Sequence, residues 1–495
     1  MNFKLLLVLL FAGTLVVGGQ ELRLAEAVKA GNREAVRALL KQPAGAADVN
    51  LREADGTTAL HWAVRANDLE TAQLLLAAGA RANVANRYGV TPLWLAAANG
   101  SAVLVEALLN AGADANTSMP QGETVLMAAA RAGNPGAVQA LLTRGADVNA
   151  KEDGLGETAL MWAAAENRAE AARLLIAHGA PLNGRSKELT YEKDRFGLEG
   201  VLTILPRGNW TPLMYAARQG AVDAARVLAE AGADLNLKDF EGTTALVRAI
   251  VNWHYDVAGV LLEKGADPNI ADTSGMAALY AVVDMNTLGE IYGRPARHFP
   301  DKLDALDLVK MLLVHGAKPN AVLTGATVQK NHTPGDGSLA AGATPLMRAA
   351  KGGDYRLMRA LLDGGADPSL TQRNRATALM LASGLGRGTG AFQKDVGTEA
   401  DLFESVKLLV DHSVDVNASN DAGQTALHFA VQSGDSLVKY LAEKGATLDV
   451  KDRQGRTPLD VALGVGVRGR AGGPAPERDS TVTLLRALMA ATSKK

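Results

Sequence analysis

The sequence predicts an all-α solenoid of about twelve helix-turn-helix units, with β-hairpin finger loops and several insertions. Three observations predict this fold: a short phrase that recurs eleven times, its regular spacing, and a Gly-Ala-Asp-x-Asn segment that follows several copies. Successive phrases begin 32 to 34 residues apart, except for intervals of 53, 67 and 48 residues. The phrases begin at Thr58, Thr91, Thr124, Thr158, Thr211, Thr244, Ala277, Thr344, Thr377, Thr425 and Thr457.

The phrase marks the start of the first helix in each unit. Its Thr is a typical N-cap residue, because the hydroxyl accepts from a backbone N–H that the helix leaves unpaired. The next residue is proline at Pro92, Pro212, Pro345 and Pro458, where a fixed φ suits the first helical position. The Leu two residues after the Thr is predicted to pack inside, so Leu93→Ala should cost about 2–5 kcal/mol.

Glycine or asparagine marks the two turns of each unit. Both residues tolerate the left-handed backbone that such turns require, and Asn67 and Asn167 stand where most copies have Gly. Trp253 at the same place is a departure, which leaves the turn geometry there in doubt. Ser413 departs likewise from the Gly that ends the second helix.

Two further segments complete the count of units. Residues 22–41 lack the phrase but have two helix-forming runs around Gly31 and Asn32, as expected of an amino-terminal capping unit. Residues 481–491 are predicted to form the last helix. A single unit cannot bury its own apolar face, so stacking of neighbours supplies the core.

The phrase, its period and the Gly-Ala-Asp-x-Asn segment resemble the ankyrin repeat, over nearly everything after residue 20. The resemblance implies a non-catalytic module that binds another protein through a concave face, lined by finger tips and the ends of the first helices. The matching positions here are Arg65, Arg87, Tyr88, Asn99, Arg131, Glu166, Trp210, Arg218, Gln219, Phe240, Asn252, Lys351, Arg373 and Arg453.

Within that set, aromatic and arginine side chains are the expected energetic anchors. Tyr88, Trp210 and Phe240 are the preferred anchors, although each ring has the alternative of packing on its own neighbours. A predicted basic line comprises Arg65, Arg131, Arg218 and Lys351. Two other rings, Trp62 and Trp162, are predicted to pack between helices, while the position of Trp94 allows either role.

The amino terminus predicts export. Residues 1–19 combine an early Lys4, an apolar run and small residues in the layout of a secretory signal peptide, with cleavage expected before Gln20. The alternative is an uncleaved membrane anchor. With such a leader and no cysteine, residues 20–495 look most like a single solenoid of a bacterial exported ankyrin-repeat protein, in the periplasm or secreted.

Five insertions interrupt the repeats, near residues 184–207, 286–302, 321–340, 384–400 and 464–478. Taken singly, each is best explained as a tolerated surface loop. The alternative functions depend on them: an enzyme or enzyme accessory with a site around Tyr191 and His298, or a secreted effector that acts on a host cell.

Composition and motifs give no sign of catalysis. Lys and Arg number 51 against 53 Asp and Glu, which does not favour nucleic acid or an anionic membrane as a partner. Gly386-Arg-Gly-Thr-Gly-Ala391 lacks the strand and helix that a dinucleotide site needs. The histidines, including His61 and His428, fall mostly at repeat positions. The sequence thus predicts no catalytic residue, cofactor or metal, and leaves the oligomeric state open.

Overall fold

The computed structural model describes residues 23–42, 48–188, 208–287, 301–325, 339, 341–386, 397–465 and 478–492. These ranges contain twenty-four helices and no strand. The helices are α1 Arg23–Lys29, α2 Arg33–Leu40, α3 Ala59–Arg65, α4 Leu69–Ala77, α5 Pro92–Ala98, α6 Ala102–Asn110, α7 Val125–Ala132, α8 Pro135–Thr143, α9 Ala159–Ala165, α10 Ala169–Ala177, α11 Pro212–Gln219, α12 Val222–Glu230, α13 Ala245–Val251, α14 Tyr255–Glu263, α15 Ala278–Thr287, α16 Ala305–Val314, α17 Pro345–Gly352, α18 Tyr355–Asp363, α19 Ala378–Ala382, α20 Glu399–Asp411, α21 Ala426–Ala430, α22 Asp435–Glu443, α23 Pro458–Ala462 and α24 Asp479–Thr492.

Consecutive helices pair into helix-turn-helix repeats that stack on one another. The first helix of one repeat packs on the first helix of the next, as α5 does on α7 and α7 on α9, while the second helices α6 and α8 pack alongside. Leu93 and Leu126, the phrase leucines of neighbouring repeats, are each 1% exposed. The predicted all-α repeat solenoid is therefore confirmed.

The phrase threonines cap their helices as predicted. Thr91 Oγ1 accepts from the Trp94 backbone N–H at 3.1 Å, and the same bond recurs at Thr124, where Met127 is the donor at 3.2 Å. Where histidine follows, the ring extends the cap. The Thr58 N–H donates to His61 Nδ1 at 3.2 Å, and His61 Nε2 lies 3.0 Å from the carbonyl of Val90 in the next finger.

The fingers are tight turns, and their β character is smaller than predicted. Isolated bridges join Ser118 to Thr124 and Thr371 to Thr377 in an antiparallel sense, but no described finger extends this pairing into strands. Several neighbouring fingers instead bond to each other through the backbone, as when the Asp153 N–H donates to the Gln121 carbonyl at 2.9 Å.

Asparagines of the Gly-Ala-Asp-x-Asn segments and their variants, in the turns that follow the second helices, join neighbouring repeats. We call each one an asparagine clamp. Asn83 Nδ2 donates to the Gly112 carbonyl at 2.8 Å, and Asn83 Oδ1 accepts from the Asp114 N–H at 2.8 Å. The Asp of each segment bonds locally, since Asp114 Oδ1 accepts from the Asn116 N–H at 2.9 Å. Both arms of the clamp recur at Asn50, Asn116, Asn269, Asn320 and Asn417.

The two departures from glycine nevertheless adopt left-handed backbone. Trp253 has φ +62° and Ser413 has φ +58°, close to Asn67 at +54°. The turn geometry of the repeat is thus retained at Trp253, because the surrounding helices impose it on a residue that disfavours it.

The described residues fall into two compact units. Unit 1 takes the residues up to Lys187 together with Trp210–Ala216 and Asp223–Ala233, and unit 2 takes the others. The sequence predicts one continuous solenoid over residues 20–495, and this division is a feature that the repeat pattern does not indicate.

The predicted signal peptide at 1–19 lies outside the described residues, as do most of the insertions, with Tyr191 and His298. At the insertion near 286–302, α15 ends at Thr287 and α16 begins at Ala305, so the extra residues separate the two helices of one unit as expected. Throughout the described ranges, every helix is too short or too polar to cross a bilayer.

Candidate protein-binding surface

Unit 1 has a face where first helices and fingers meet, formed by Trp62, Arg65, Arg131 and Trp162 together with the finger residues beside them. We call it the finger-side face. Trp62 and Arg65 take these two positions after Thr58, and Arg131 is seventh after Thr124. Trp162 is fourth after Thr158. The two tryptophans are half-buried and the two arginines exposed, so the face has both aromatic and cationic side chains.

The first part of this face is the amino-terminal indole cluster: Lys29, Glu53, Trp62 and Arg65. Trp62 Nε1 donates to Glu53 Oε1 at 3.2 Å, and Lys29 Nζ lies 2.6 Å from the same carboxylate oxygen. Lys29 Nζ also lies 4.7 Å from the centroid of the Trp62 ring, and the Arg65 guanidinium lies 5.4 Å from it. The carboxylate, the indole N–H and the ammonium are therefore all paired within the cluster.

The second part is the central indole cluster: Trp94, Glu123, Arg131 and Trp162. The Arg131 guanidinium lies 4.8 Å from the centroid of the Trp162 ring, and Arg131 Nη2 lies 3.6 Å from Glu123 Oε1. Trp162 Nε1 is buried and makes no hydrogen bond within the described part of the chain, and the Trp94 side chain lies against Glu123. Buried polar atoms in native structures nearly always have a partner, so the unpaired Trp162 N–H marks this cluster as unusual.

The electrostatics of the central cluster are set by Glu123. Burial raises the pKa of Glu123, and the nearby Glu152 carboxylate raises it further. The Arg131 guanidinium and the Trp94 side chain oppose this rise in the pKa of Glu123 without cancelling it. A carboxylate with a raised pKa is one whose charge is incompletely stabilised, so Glu123 has capacity for a further positive partner.

Most of the predicted surface residues are accessible to solvent. Asn252 is half-buried. The exposed members of the set are Arg65, Arg87, Tyr88, Asn99, Arg131, Glu166, Arg218, Gln219, Phe240, Arg373 and Arg453.

The predicted surface must lose two of its residues, because they are buried. Trp210 is 4% exposed, and its ring packs edge-on against Tyr215 with the centroids 5.4 Å apart. Lys351 is 2% exposed on α17, a helix that is buried along its whole length. Neither an indole nor an ammonium group in such a place can reach a partner.

The assignment of Trp62 and Trp162 to the inter-helix core is also wrong. Both rings lie partly exposed on the finger-side face, each beneath a cation. Trp94, whose role was open, reaches the same face through its contact with Glu123.

The structure joins a few of the predicted residues and separates others. The Arg87 guanidinium stacks 4.7 Å from the centroid of the Tyr88 ring and donates to the Tyr88 hydroxyl. Asn99 Nδ2 donates to the Val64 carbonyl at 3.0 Å, a structural contact between repeats. The four residues of the basic line do not act alike, because two of them lie over indoles of unit 1 and Lys351 is buried.

Unit 2 uses the corresponding positions for buried ion pairs. Arg248 and Arg348, each fourth after its phrase Thr, are 7% and 2% exposed. Arg248 pairs with Asp239 of its own finger, and Arg348 pairs with Asp284 of α15. These charges satisfy one another inside the protein, as buried ions must.

No grouping of three or more His, Asp or Glu side chains suited to a metal ion occurs in the described ranges. The buried histidines belong to the helix caps. His428 repeats the arrangement of His61, since its Nδ1 accepts from the Thr425 N–H at 3.1 Å and its Nε2 lies 3.2 Å from the Arg456 carbonyl.

The chain belongs to the ankyrin-repeat family. A model of three consecutive ankyrin repeats matches residues 24–119, 93–186, 192–272 and 398–467, and a model of a single ankyrin repeat matches residues 341–373. Together these matches cover more than half of the chain. Ankyrin repeats indicate a protein–protein interaction module, and proteins built from them are generally non-catalytic binding scaffolds.

Its relatives share the repeats over short stretches. A homolog of transient receptor potential cation channel subfamily A member 1 from Caenorhabditis elegans is 30% identical over 122 residues, which is 24% of this chain and 9% of the channel protein. Alpha-latrocrustotoxin-Lt1a from Latrodectus tredecimguttatus is also 30% identical over 122 residues, 24% of this chain and 8% of the toxin. The matches thus span less than a tenth of those proteins.

Among solved structures, the ankyrin repeat domain of human ASB11 is similar to this chain. It is 26% identical, with a TM-score of 0.38, over 49% of this chain and 96% of that domain.

Two members of the indole clusters were missed from sequence because the first repeat lacks the phrase. Lys29 and Glu53 precede Thr58, so no register assigns them to the finger-side face. A usable signal existed in Trp62 and Arg65, which are three residues apart on one helix and therefore share a face.

Proposed function

We propose that this protein is a non-catalytic scaffold that binds another protein through the finger-side face of unit 1. The observation that carries the proposal is the central indole cluster, where the buried Trp162 Nε1 lacks a hydrogen bond and Glu123 is held by a long ion pair to the exposed guanidinium of Arg131. Tryptophan and arginine are the residues most enriched at energetic hot spots of interfaces.

The mechanism is recognition by a preformed surface. Trp62 and Trp162 lie on helices held by buried phrase leucines, so little side-chain entropy is lost when a partner arrives. Arg87 and Tyr88 on the neighbouring finger extend the same kind of surface toward solvent, where Tyr88 is 53% exposed. The partner is a protein of unknown identity, with no cofactor in the interaction.

We also propose that the protein is exported after removal of residues 1–19. The support is the order of charged, apolar and small residues in that segment. Amino-terminal sequencing of the protein from the cell envelope or medium should find a chain that begins at or near Gln20. A mature chain that begins at Met1 contradicts release and supports a membrane anchor.

The binding proposal is tested by site-directed crosslinking. A photoreactive residue replaces Arg131 on the finger-side face, and a matched one replaces Arg37, whose side chain is 51% exposed on α2. We expect a discrete crosslinked partner at position 131 that is absent at position 37 and absent after an added Trp162→Ala. Equal capture at both positions, or capture that survives Trp162→Ala in a folded variant, rejects this face.

A further inference from the structure

The central indole cluster contains an intramolecular cation in the place that a ligand cation would take. The Arg131 guanidinium lies over the Trp162 ring and beside Glu123, which are the two kinds of group that attract a cation. The hold is loose, because the distance from Arg131 Nη2 to Glu123 Oε1 is 3.6 Å and the Arg131 side chain is 44% exposed. Arg131 can therefore leave without uncovering a core.

The amino-terminal indole cluster shows the same components when they are fully paired. There the cation Lys29 lies 2.6 Å from Glu53, and the Trp62 N–H donates to that carboxylate. In the central cluster Arg131 Nη2 stays 3.6 Å from Glu123 Oε1, and Trp162 Nε1 makes no hydrogen bond among the described residues. Both clusters combine indole, cation and carboxylate, but the central one has two indoles and a single cation, so its carboxylate is less completely paired.

The local charge favours a positive occupant. Glu123 and Glu152 are close enough for the second carboxylate to disfavour the charge of the first, and Arg131 is the cation recorded at Glu123. Glu152 keeps its position through backbone bonds, accepting from the N–H groups of Gly154 and Leu155 at 2.6 Å. A cation in this place reduces the repulsion between the two carboxylates, whereas an anion there increases it, so a group that takes the place of Arg131 must itself be positive.

We propose that the central indole cluster binds an arginine or lysine side chain of the partner protein, which replaces Arg131 on the face of Trp162 and pairs with Glu123. The displaced Arg131 swings into solvent. This inference rests on the proposed protein-binding function and names the chemistry that the partner presents to the surface. An acidic partner group that binds Arg131 itself is the competing outcome.

The test is the sign of the effect of Arg131→Ala on peptide binding. Fluorescein-labelled peptides of alternating arginine and glycine, or of alternating glutamate and glycine, are titrated with the full chain and followed by fluorescence anisotropy. Arg131→Ala vacates the site, so we expect it to tighten binding of the arginine peptide by about tenfold. Glu123→Gln, which keeps shape and removes the carboxylate charge, should weaken that binding by a similar factor.

A matched control separates the cluster from the overall charge of the protein. Arg37→Ala also removes one positive charge from unit 1, but its side chain pairs with Glu70 away from the finger-side face. It should leave binding of the arginine peptide within about twofold, as expected for a distant exposed charge. Thermal unfolding of each variant confirms that it is folded.

Three results overturn the inference. They are tightening that is equal in the Arg131 and Arg37 variants, no binding of the arginine peptide by either the wild type or Arg131→Ala, and binding of the glutamate peptide that Arg131→Ala abolishes. The last result leaves the binding function of the face intact and corrects only the chemistry of the partner. Loss of crosslinking at position 131, by contrast, removes the binding function itself.

Discussion

Units 1 and 2 use the same positions of the repeat for opposite purposes. In unit 1 the fourth and seventh residues after the phrase Thr include Trp162 and Arg131, which lie partly exposed and contact each other across neighbouring repeats. In unit 2 these positions include Arg348 and Asp284, which make the same step between repeats as a buried ion pair. One geometry thus gives either a partly exposed contact between a cation and an indole or a buried ion pair.

The difference teaches that register alone does not define a binding surface in this fold. In both of these pairs the seventh residue of one repeat meets the fourth residue of the next, although the chemistry of the two contacts differs. When both are charged and opposite, they satisfy each other and become inaccessible. When one is an indole and the other a cation, the contact is weaker and leaves the polar groups available.

The largest expected effect comes from breaking the buried pair of unit 2. Arg348→Ala leaves Asp284 buried without its partner, so the free energy of unfolding should fall by about 3–5 kcal/mol. The matched change in unit 1, Arg131→Ala, removes an exposed contact and should cost less than about 1 kcal/mol. Urea unfolding followed by circular dichroism measures both. Similar losses for the two variants would contradict the contrast between the units.

The asparagine clamp provides a second comparison. Unit 1 has a clamp at Asn116, whereas one repeat of unit 2 has Ser369 at the corresponding position, where the hydroxyl donates to Asp367. Asn116→Ser removes two bonds between repeats, and we expect a loss of about 1–3 kcal/mol in urea unfolding. Asn99→Ser, which removes one hydrogen bond between repeats, should lower the free energy of unfolding by less. If Asn116→Ser lowers it by no more than Asn99→Ser does, the clamp contributes little to stability.

Two buried histidines cap first helices, His61 in unit 1 and His428 in unit 2. Their titration should make the stability of each unit depend on pH in a defined direction. Burial lowers the pKa of each ring below its unfolded value of about 6.5. The unfolded chain therefore binds more protons, so this stability is complete above about pH 6.5 and is lost as the pH falls. One histidine contributes at most about 1.4 kcal/mol per pH unit.

The measurement is the slope of the free energy of unfolding between pH 7.5 and 5.5, in steps of about half a unit, for the wild type, His61→Met and His428→Met. Methionine is the residue at this phrase position in Met127, so the helix start tolerates it. Each variant should flatten the slope. A slope that stays unchanged in one unit would mean that its histidine is already solvated.

The smallest expected effect concerns a turn. Ser413 of unit 2 has φ +58°, where the matching residue of unit 1 is Gly145 with φ +78°. Ser413→Gly relieves left-handed strain on an exposed residue and should raise the free energy of unfolding by about 0.5–1 kcal/mol. Gly145→Ser should lower it by a similar amount. Changes of the same sign in both variants would contradict this explanation.

Much of the fold could be predicted because the repeat states it many times. The Thr caps, the phrase leucines and the short Asp and Asn bonds need only neighbours at a fixed offset, which the period supplies. The burial of Lys351 could not be predicted in this way, because it depends on which side chains pack over one particular helix. The burial of Trp210 depends likewise on Tyr215, so a position before the phrase Thr does not by itself predict a finger-tip anchor.

The candidate site was partly predictable. Arg65 and Arg131 follow from the register, but the long ion pair between Arg131 and Glu123 depends on distances that no sequence spacing encodes. The assignment of Trp62 and Trp162 to the core failed because the position on a helix predicts which way a side chain points but not how deeply it is buried. Half-buried rings beneath cations are a third possibility between core and free surface.

The asparagine clamps also bear on how such a chain changes over generations. Asn83 and Asn116 each reach the same two backbone groups, a glycine carbonyl and an amide, one repeat further along. A duplication or deletion of one whole repeat would therefore bring the same donor beside the same acceptor and create a compatible joint. The array can gain or lose repeats while every remaining junction keeps the same hydrogen bonds. Sequence change is then concentrated in the side chains that face outward.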